Sequence, residues 1–547
     1  MQVRRLIAGT VVPLAVTAGL VGCNSGDSAK TDPNGVVSIQ ISEPQHMTPS
    51  DSNDASGIQV LSALYAPLVS YDESFKPVPD AAASIDSKDH KTWTIKLKDG
   101  YTFHNGEKVT SQNYIDAWNF AAYGPNAQNN GYFFSRIAGY GATQVDNTKD
   151  PDGPDGPEKA PPPKAKTMSG LKKIDDLTFE VTLSQPFTEF ETVLGYSAFY
   201  PLPKAAFESE GVLKKDFESA PIGNGPFMMN GKWEHDAKVE VAKYDAYPGA
   251  KPKVGGVEFR IYLQPSAAYA DVLSDNLDVI PQIPTESIPT APDDLGDRFQ
   301  RSSASQFQFL AFPTFEQDFA KPEIRKAISK AIDRDEIVRS VFKGSQQSAR
   351  SFVSPVVAGY RENTCGDACV YDPQAAKALY EAQGGPDKIQ LTYNADGPHK
   401  DWIDATCNQL SANLKIQCTT VPEAKIADLL DKVEEKKNVG IFRLGWTMDY
   451  PSMESYLGPL YSSTGSSNYY GYSNSQFDSL VAEGSAASTP EESIDKYQKA
   501  EDILASDLPV IPLRFAQNNY GFSTRVQDVE VDLFSRINLN KIEVLGN

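Results

Sequence analysis

The sequence predicts a mixed α/β protein that contains more than one compact unit. A chain of 547 residues is longer than one hydrophobic core ordinarily supports, so it implies two or three units. Strand and helix patterns alternate over 388–393 (strand), 402–414 (helix) and 416–421 (strand), which favours an α/β lobe in that part of the chain. The segment 91–98 instead alternates strictly between polar and apolar residues, as a half-exposed antiparallel strand does.

The first residues have the pattern of a secretory signal. Arg4 and Arg5 precede an apolar run, 6–21, that is too short for a membrane span. The run ends in Leu-Val-Gly before Cys23, which matches the lipobox at which bacteria attach diacylglycerol to the cysteine and cleave before it. We expect a signal peptide over 1–22, a mature N-terminus at Cys23 that carries acyl chains such as palmitate, and a polar tether over 23–35. The alternative is an apolar start that ends in cysteine by chance.

Four further cysteines, an even number, point to disulfides in an oxidising compartment. They are Cys365, Cys369, Cys407 and Cys418. Three connectivities are possible, and we expect local pairing of Cys365 with Cys369 and of Cys407 with Cys418. A zinc site is the alternative, but no histidine lies near these cysteines at ligand spacing. We therefore expect neither a metal nor another cofactor.

The net charge argues against a nucleic-acid partner. The formal charge is −21, with 40% hydrophobic and 22% charged residues. This composition is typical of a folded soluble protein, and the negative charge, with no basic stripe, repels phosphate backbones.

A strand near the end of the α/β lobe carries two opposite charges. It begins at Ile441 and breaks at Tyr450-Pro451. If the strand continues that far, Arg443 and Asp449 share a face with Gly445 and Thr447, while Phe442, Leu444, Trp446 and Met448 form an apolar face. The two charges are then roughly 20 Å apart at about 3.3 Å per residue, a separation that suits a zwitterion such as a short peptide. Solvated charges at a strand end are the alternative interpretation.

These residues resemble a known family. The run of Arg443, Gly445-Trp446 and the acidic-aromatic turn at Asp449 is similar to the ligand strand of solute-binding protein family 5 of ABC importers, the extracellular oligopeptide- and dipeptide-binding lipoproteins. The tryptophan strand, Asn-Gly hairpin and aromatic helix over 91–120 resemble another signature of this family, as does the amphipathic helix over 321–335. The resemblance covers nearly the whole mature chain.

The resemblance implies a two-lobed periplasmic-binding-protein fold (class II type, cluster C) with an extra third subdomain and hinged lobes around a central cleft. We expect domain I over 36–70, 202–305 and 516–547, domain II over 71–201, and domain III over 306–515. Domain II includes a proline- and glycine-rich insertion over 146–166. Three aspartates hint at calcium there, but intervening prolines and the missing terminal glutamate break the loop pattern.

The resemblance also assigns roles to the residues of the site. It implies that Asp449 receives a peptide's amino terminus and that Arg443 can meet the carboxylate of a short peptide. Gly445 and Thr447 share their predicted face, and Trp446 and Tyr450 would wall the pocket, although the parity of Trp446 equally suits core packing. Glu43 is a further candidate contact or else a surface carboxylate.

The resulting expectation is a monomeric, lipid-anchored extracytoplasmic protein that captures short peptides between two lobes and delivers them to a membrane permease. A second hypothesis keeps the fold but binds a metal chelate, opine or sugar, because fold does not decide the ligand. A third is an extracellular hydrolase. The chain has no Gly-x-Ser-x-Gly, no His-Glu-x-x-His and no convincing His/Cys pair, so we expect no enzymatic activity.

Overall fold

The computed structural model describes residues 30–72, 75–146, 160–209, 211–437, 439–532 and 534–546. The predicted signal peptide, Cys23 and most of the tether therefore lie outside the described residues, as does 147–159 of the proline- and glycine-rich insertion.

The strands of these residues are short except for two strands of thirteen residues each, β14 and β19. In chain order they are β1 (Val36–Ile41), β2 (Val69–Tyr71), β3 (Pro77–Pro79), β4 (Ala82–Ser87), β5 (Thr92–Leu97), β6 (Leu171–Lys173), β7 (Thr178–Thr182), β8 (Phe207–Ser209), β9 (Val212–Leu213), β10 (Phe227–Met229), β11 (Lys238–Lys243), β12 (Gly256–Ile261), β13 (Val279–Ile280), β14 (Phe299–Ala311), β15 (Gln346–Ser348), β16 (Lys388–Asn394), β17 (Gln417–Glu423), β18 (Ile441–Trp446), β19 (Val510–Phe522), β20 (Val526–Gln527) and β21 (Glu543–Val544).

The α-helices surround the sheets. In chain order they are α1 (Ala55–Leu64), α2 (Ser111–Ala122), α3 (Phe190–Val193), α4 (Pro265–Leu273), α5 (Ala291–Leu295), α6 (Pro322–Lys330), α7 (Arg334–Ser340), α8 (Pro373–Gln383), α9 (Lys400–Leu414), α10 (Ile426–Glu434), α11 (Glu454–Tyr461), α12 (Ser475–Ser485) and α13 (Pro490–Asp507).

A mixed sheet of eleven strands forms the framework, in the order β10-β11-β12-β1-β13-β19-β14-β18-β16-β17 with β15 paired to β19. β14 and β19 are antiparallel and run through the middle of it. One end of this pair contacts β13, and the other end contacts β18. The two long strands therefore belong to both lobes and join them.

The pairing of β14 with β19 is irregular where the strands pass from one lobe to the other. Its register shifts between Ser303 and Phe307, and again between Gln308 and Phe309. Such irregularities bend a strand locally. The domain limits expected at 305/306 and 515/516 fall in this stretch, and the domain assignment as a whole stays a prediction.

A separate four-stranded antiparallel sheet, β4-β5-β7-β6, forms the centre of an extra subdomain. Along β5 the side chains of Trp93, Ile95 and Leu97 are buried and those between them are exposed or partly so, which confirms the predicted alternation. Gly106 has a φ of 83°, a left-handed angle that favours glycine in the tight turn predicted there.

The amphipathic helix predicted over 321–335 is interrupted. Its apolar stripe is buried as expected, but α6 ends at Lys330 and α7 begins at Arg334. Asp333 explains the break, because its side chain accepts a hydrogen bond from the backbone N–H of Glu336 and caps the second helix.

Both expected disulfides are present. Cys365 is bonded to Cys369, and Cys407 on α9 is bonded to Cys418 on β17, which confirms the local connectivity. In the described part of the chain, no cluster of three or more His, Cys, Asp or Glu side chains is arranged to hold a metal ion. No helix within the described ranges combines the length and the apolar character that a membrane crossing requires.

Candidate ligand-binding site

β18 contains several of the residues that the sequence predicts to bind the ligand. It pairs antiparallel with β14 and parallel with β16. Phe442, Leu444 and Met448 are buried in one core cluster, and Trp446 packs against it, so the predicted apolar face is confirmed. The opposite face is not solvated either, because Ile441 belongs to a second core cluster on that side.

The strand ends at Trp446, so its alternation does not extend to Thr447 and Asp449. Ser455, in the first turn of α11, holds the turn that follows. Its carbonyl oxygen accepts the indole N–H of Trp446 at 2.7 Å, and its hydroxyl accepts the backbone N–H of Asp449 at 2.9 Å. Sequence reasoning missed this positioning role, because no motif distinguishes Ser455 from other serines near helix starts.

A cavity of about 890 Å³ lies between the extra subdomain and the second lobe. Aromatic and apolar side chains line it on the subdomain side, among them Tyr132, Phe133, Phe187 and Phe190. Trp446, Asp449, Tyr450 and Glu454 line the side of the second lobe. Of the residues predicted from sequence, the cavity thus brings together Trp446, Asp449 and Tyr450, whereas Arg443, Gly445, Thr447 and Glu43 are not among its lining residues.

Asp449 is a partly buried carboxylate without a basic partner among the described residues. The hydroxyl of Tyr132, across the subdomain boundary, donates to its Oδ1 at 3.3 Å. Burial raises the pKa of Asp449 to about 7; the Tyr132 hydrogen bond opposes this rise and the charge of Glu454 adds to it. A carboxylate in this setting is stabilised by any cation that reaches it.

Glu454, the neighbouring carboxylate, already has its counter-charge. It is 2% exposed, and Arg136 of the extra subdomain donates to its Oε1 at 2.7 Å. The hydroxyl of Tyr450 donates to its other oxygen. Arg136 also lies 3.9 Å from the ring centroid of Phe187. These contacts connect the subdomain to the second lobe. Of Asp449 and Glu454, only Asp449 has no cation among the described residues.

Arg443 occupies a different environment from Asp449. It donates to Asn394 at 2.8 Å and to Gln308 at 3.0 Å, both through neutral amide oxygens, while its Nε is buried without a partner. Burial lowers the pKa of Arg443 to about 10. Gly445 makes this arrangement possible, because a Cβ there would lie 2.8 Å from Oε1 of Gln308.

Thr447 is exposed, and Glu43 lies in the first lobe. The Glu43 carboxylate contacts Nδ1 of His235 at 2.7 Å and accepts the backbone N–H of Asp236 at 3.0 Å. Its role as a ligand contact stays a prediction.

Comparisons with known proteins agree with this architecture. Residues 76–468 match the family described as "Bacterial extracellular solute-binding proteins, family 5 Middle". The oligopeptide-binding protein OppA of Bacillus subtilis is 25% identical over 516 residues, which are 91% of each chain.

Two solved structures show the same fold. The Escherichia coli murein tripeptide binding protein MppA superposes with a TM-score of 0.74 at 22% identity, covering 94% of this chain and 100% of that one. Haemophilus influenzae OppA in complex with RPPGFSPFR gives a TM-score of 0.69 at 22% identity, with coverage of 94% and 100%. The two lobes, the joining strands and the family match together lead to one conclusion: the chain belongs to family 5 of the solute-binding proteins of ABC importers and has their two-lobed fold.

Proposed function

We propose that this chain captures short peptides with a free amino terminus and that Asp449 binds the peptide ammonium. The observation that carries the proposal is the state of Asp449, a partly buried carboxylate beside a cavity, without a basic partner among the described residues. A peptide ammonium would supply the missing charge, and Tyr132 and Trp446, whose aromatic rings can stabilise a cation, line the same cavity.

The order of the two charges along the chain supports a direction for the bound peptide, with its amino terminus at Asp449 and its carboxylate end toward Arg443. Arg443 lies three residues, about 10 Å of extended chain, before the end of β18 at Trp446, and Asp449 lies on the turn that follows. A carboxylate that lies toward Arg443 would pair with a guanidinium that now contacts only neutral amide oxygens. The relatives whose names specify oligopeptides or a murein tripeptide support this ligand class.

The proposal extends to cellular role. As a member of this family, the protein would be anchored by lipid at Cys23 outside the cytoplasm, act as a monomer and deliver its peptide to permease subunits in the membrane. Binding without chemical change is sufficient for this role, so no catalytic group is assigned.

Isothermal titration calorimetry with Ala-Ala-Ala and its N-acetyl form tests the proposal. Asp449→Ala should weaken the free-amino peptide by about 2 to 5 kcal/mol, because the buried ammonium loses its counter-charge. The N-acetyl peptide should lose much less, since it carries no charge at that end.

Asp478→Asn is the matched control. Asp478 also lines the cavity, but Ser463 donates to it through both its backbone N–H and its hydroxyl, so its removal should leave the affinity for Ala-Ala-Ala unchanged. Equal losses for the two peptides in Asp449→Ala, or no binding of any free-amino peptide by the unmodified protein, would refute the proposed function.

A further inference from the structure

Two arginines approach the same glutamine from opposite sides of β14. Gln308 on β14 is the register partner of Arg514 on β19, and its side-chain oxygen accepts from Arg443 on β18. Arg514 is 5% exposed and donates to Gln346 at 3.1 Å. Its guanidinium carbon lies 4.3 Å from the ring centroid of Phe342. Two buried or partly buried positive charges thus lie on one face of the sheet.

Other arginines of the second lobe have more partners or a carboxylate as counter-charge. Arg325 donates to four backbone carbonyl oxygens, and Arg334 to three together with a hydroxyl. Arg361 pairs with two carboxylates. Arg443 and Arg514 differ from Arg325 and Arg334 because each has a buried Nε–H without a partner. The Nε of Arg361 is also buried without a partner, but Arg443 and Arg514 donate to neutral amide oxygens and have no ion pair with a carboxylate of the described residues.

Neither arginine of this pair forms an ion pair with its surroundings in the described part of the chain. His399 lies close to both arginines, and burial, with their charges, lowers its pKa to about 4. The Nδ1 of His399 accepts the indole N–H of Trp402 at 3.3 Å, so the imidazole is neutral near pH 7. Asp396 is a nearby carboxylate that favours the charge of Arg443, but it forms no ion pair with either arginine among the described residues; Asn394 donates to its Oδ1 at 2.5 Å.

We propose that Arg443 and Arg514 form a two-guanidinium subsite that selects peptides whose last residue is Asp or Glu. The inference rests on the proposed function, because the peptide's carboxylate end must lie toward Arg443. The more accessible Arg443 takes the main-chain carboxylate, and the deeper Arg514 takes the side-chain carboxylate of the same residue. Forked guanidinium donors suit carboxylates, and a pair of like charges with unpaired donors gains most from a ligand that carries two negative charges.

Calorimetry with Ala-Ala-Glu and Ala-Ala-Gln tests the subsite, because the two peptides differ by one charge at nearly equal size. The unmodified protein should bind Ala-Ala-Glu at least tenfold more tightly, and Arg514→Gln should reduce this ratio to about one. Arg514→Lys keeps the positive charge but loses the forked guanidinium donors, so it should retain part of the preference for Ala-Ala-Glu over Ala-Ala-Gln. Thermal unfolding of each variant checks that it is folded.

Arg350→Gln is the control for charge. It removes one positive charge from the same lobe at an exposed position where Arg350 pairs with Asp335, so the tenfold ratio should persist. Glutarate, which has two carboxylates but no ammonium, should not compete with Ala-Ala-Glu; competition at equal affinity would assign the subsite to free dicarboxylates and overturn the proposal.

The two proposals fail in different ways. Binding of tripeptides with a Glu/Gln ratio near one in the unmodified protein, or an unchanged ratio in folded Arg514→Gln, overturns the subsite and leaves the proposed function intact. Absence of binding for every tripeptide overturns the proposed function itself.

Discussion

The two ends of β18 hold opposite charges by different means. Asp449 lies on a turn after the strand, where one serine holds the backbone and the neighbouring tyrosine comes from the extra subdomain. Arg443 lies within the sheet, where side chains of two neighbouring strands, Gln308 and Asn394, hold its guanidinium. The carboxylate therefore depends on contact between two parts of the molecule, whereas the guanidinium depends on the packing of one sheet.

This difference predicts how each end responds to change. Packing in a sheet tolerates little added volume, so the guanidinium end should be sensitive to sterics. The carboxylate end contains a group whose pKa lies near neutrality, so it should be sensitive to pH.

Gly445→Ala should have the largest effect on the stability of the ligand-free protein, and only at the guanidinium end. The added Cβ would crowd Gln308, which is 3% exposed, and so disturb its hydrogen bond with Arg443. Overpacking of this kind lowers the free energy of unfolding by about 1 to 3 kcal/mol, which urea denaturation measures. The affinity for Ala-Ala-Ala should fall, while the pH dependence that Asp449 confers should remain. Unchanged stability would contradict the close packing of Gln308 on Gly445.

The sequence revealed the parts of the site that depend on local spacing. The apolar face of β18 followed from alternation. Local pairing of the cysteines was the expected one of three possible connectivities, and both disulfides have it. The end of the strand at Trp446 was not foreseen, because Thr447 and Tyr450, which follow it, are residue types that also favour strands.

Contacts between distant segments could not be read from the sequence. Tyr132 and Arg136 reach the second lobe from a subdomain that precedes it by about three hundred residues, and nothing in their local pattern marks them. Arg514 was likewise hidden in an ordinary apolar strand, and only the pairing of β19 with β14 places it beside Gln308. Tertiary packing, not local propensity, decides such contacts.

Acidification should weaken peptide binding through the carboxylate end alone. The ammonium needs an ionised Asp449, whose pKa in the folded protein is about 7, so affinity for Ala-Ala-Ala should fall roughly tenfold between pH 7.5 and 6. The arginines stay charged in this range, since the pKa of Arg443 is about 10 and that of Arg514 about 9. Calorimetry across this range measures the loss, and the N-acetyl peptide should show little of it.

The same shift links Asp449 to the stability of the ligand-free protein. Because burial raises its pKa above the unfolded value, the stability it contributes is present at low pH and is lost as the pH rises through about 7. Burial also raises the pKa of Glu189 to about 7. Glu189→Gln is therefore the control for the pH dependence of peptide binding. That variant should keep the pH dependence of binding, and Asp449→Asn should abolish it; a dependence that survives in Asp449→Asn would assign the titration to another group.

Tyr132→Phe should have the smallest effect, and it tests whether the extra subdomain tunes the carboxylate. Tyr132 is 51% exposed, and its hydroxyl donates to Asp449 at 3.3 Å, so loss of the hydroxyl should weaken binding by only about 0.5 kcal/mol. The hydrogen bond lowers the pKa of Asp449, so its removal should move the midpoint of the pH dependence upward. Calorimetry at several pH values measures that midpoint. Tyr140→Phe is the control, because the ring of Tyr140 packs against the subdomain core, and it should leave the midpoint unchanged. A lower midpoint in Tyr132→Phe would mean that the hydroxyl of Tyr132 does not stabilise the ionised carboxylate of Asp449.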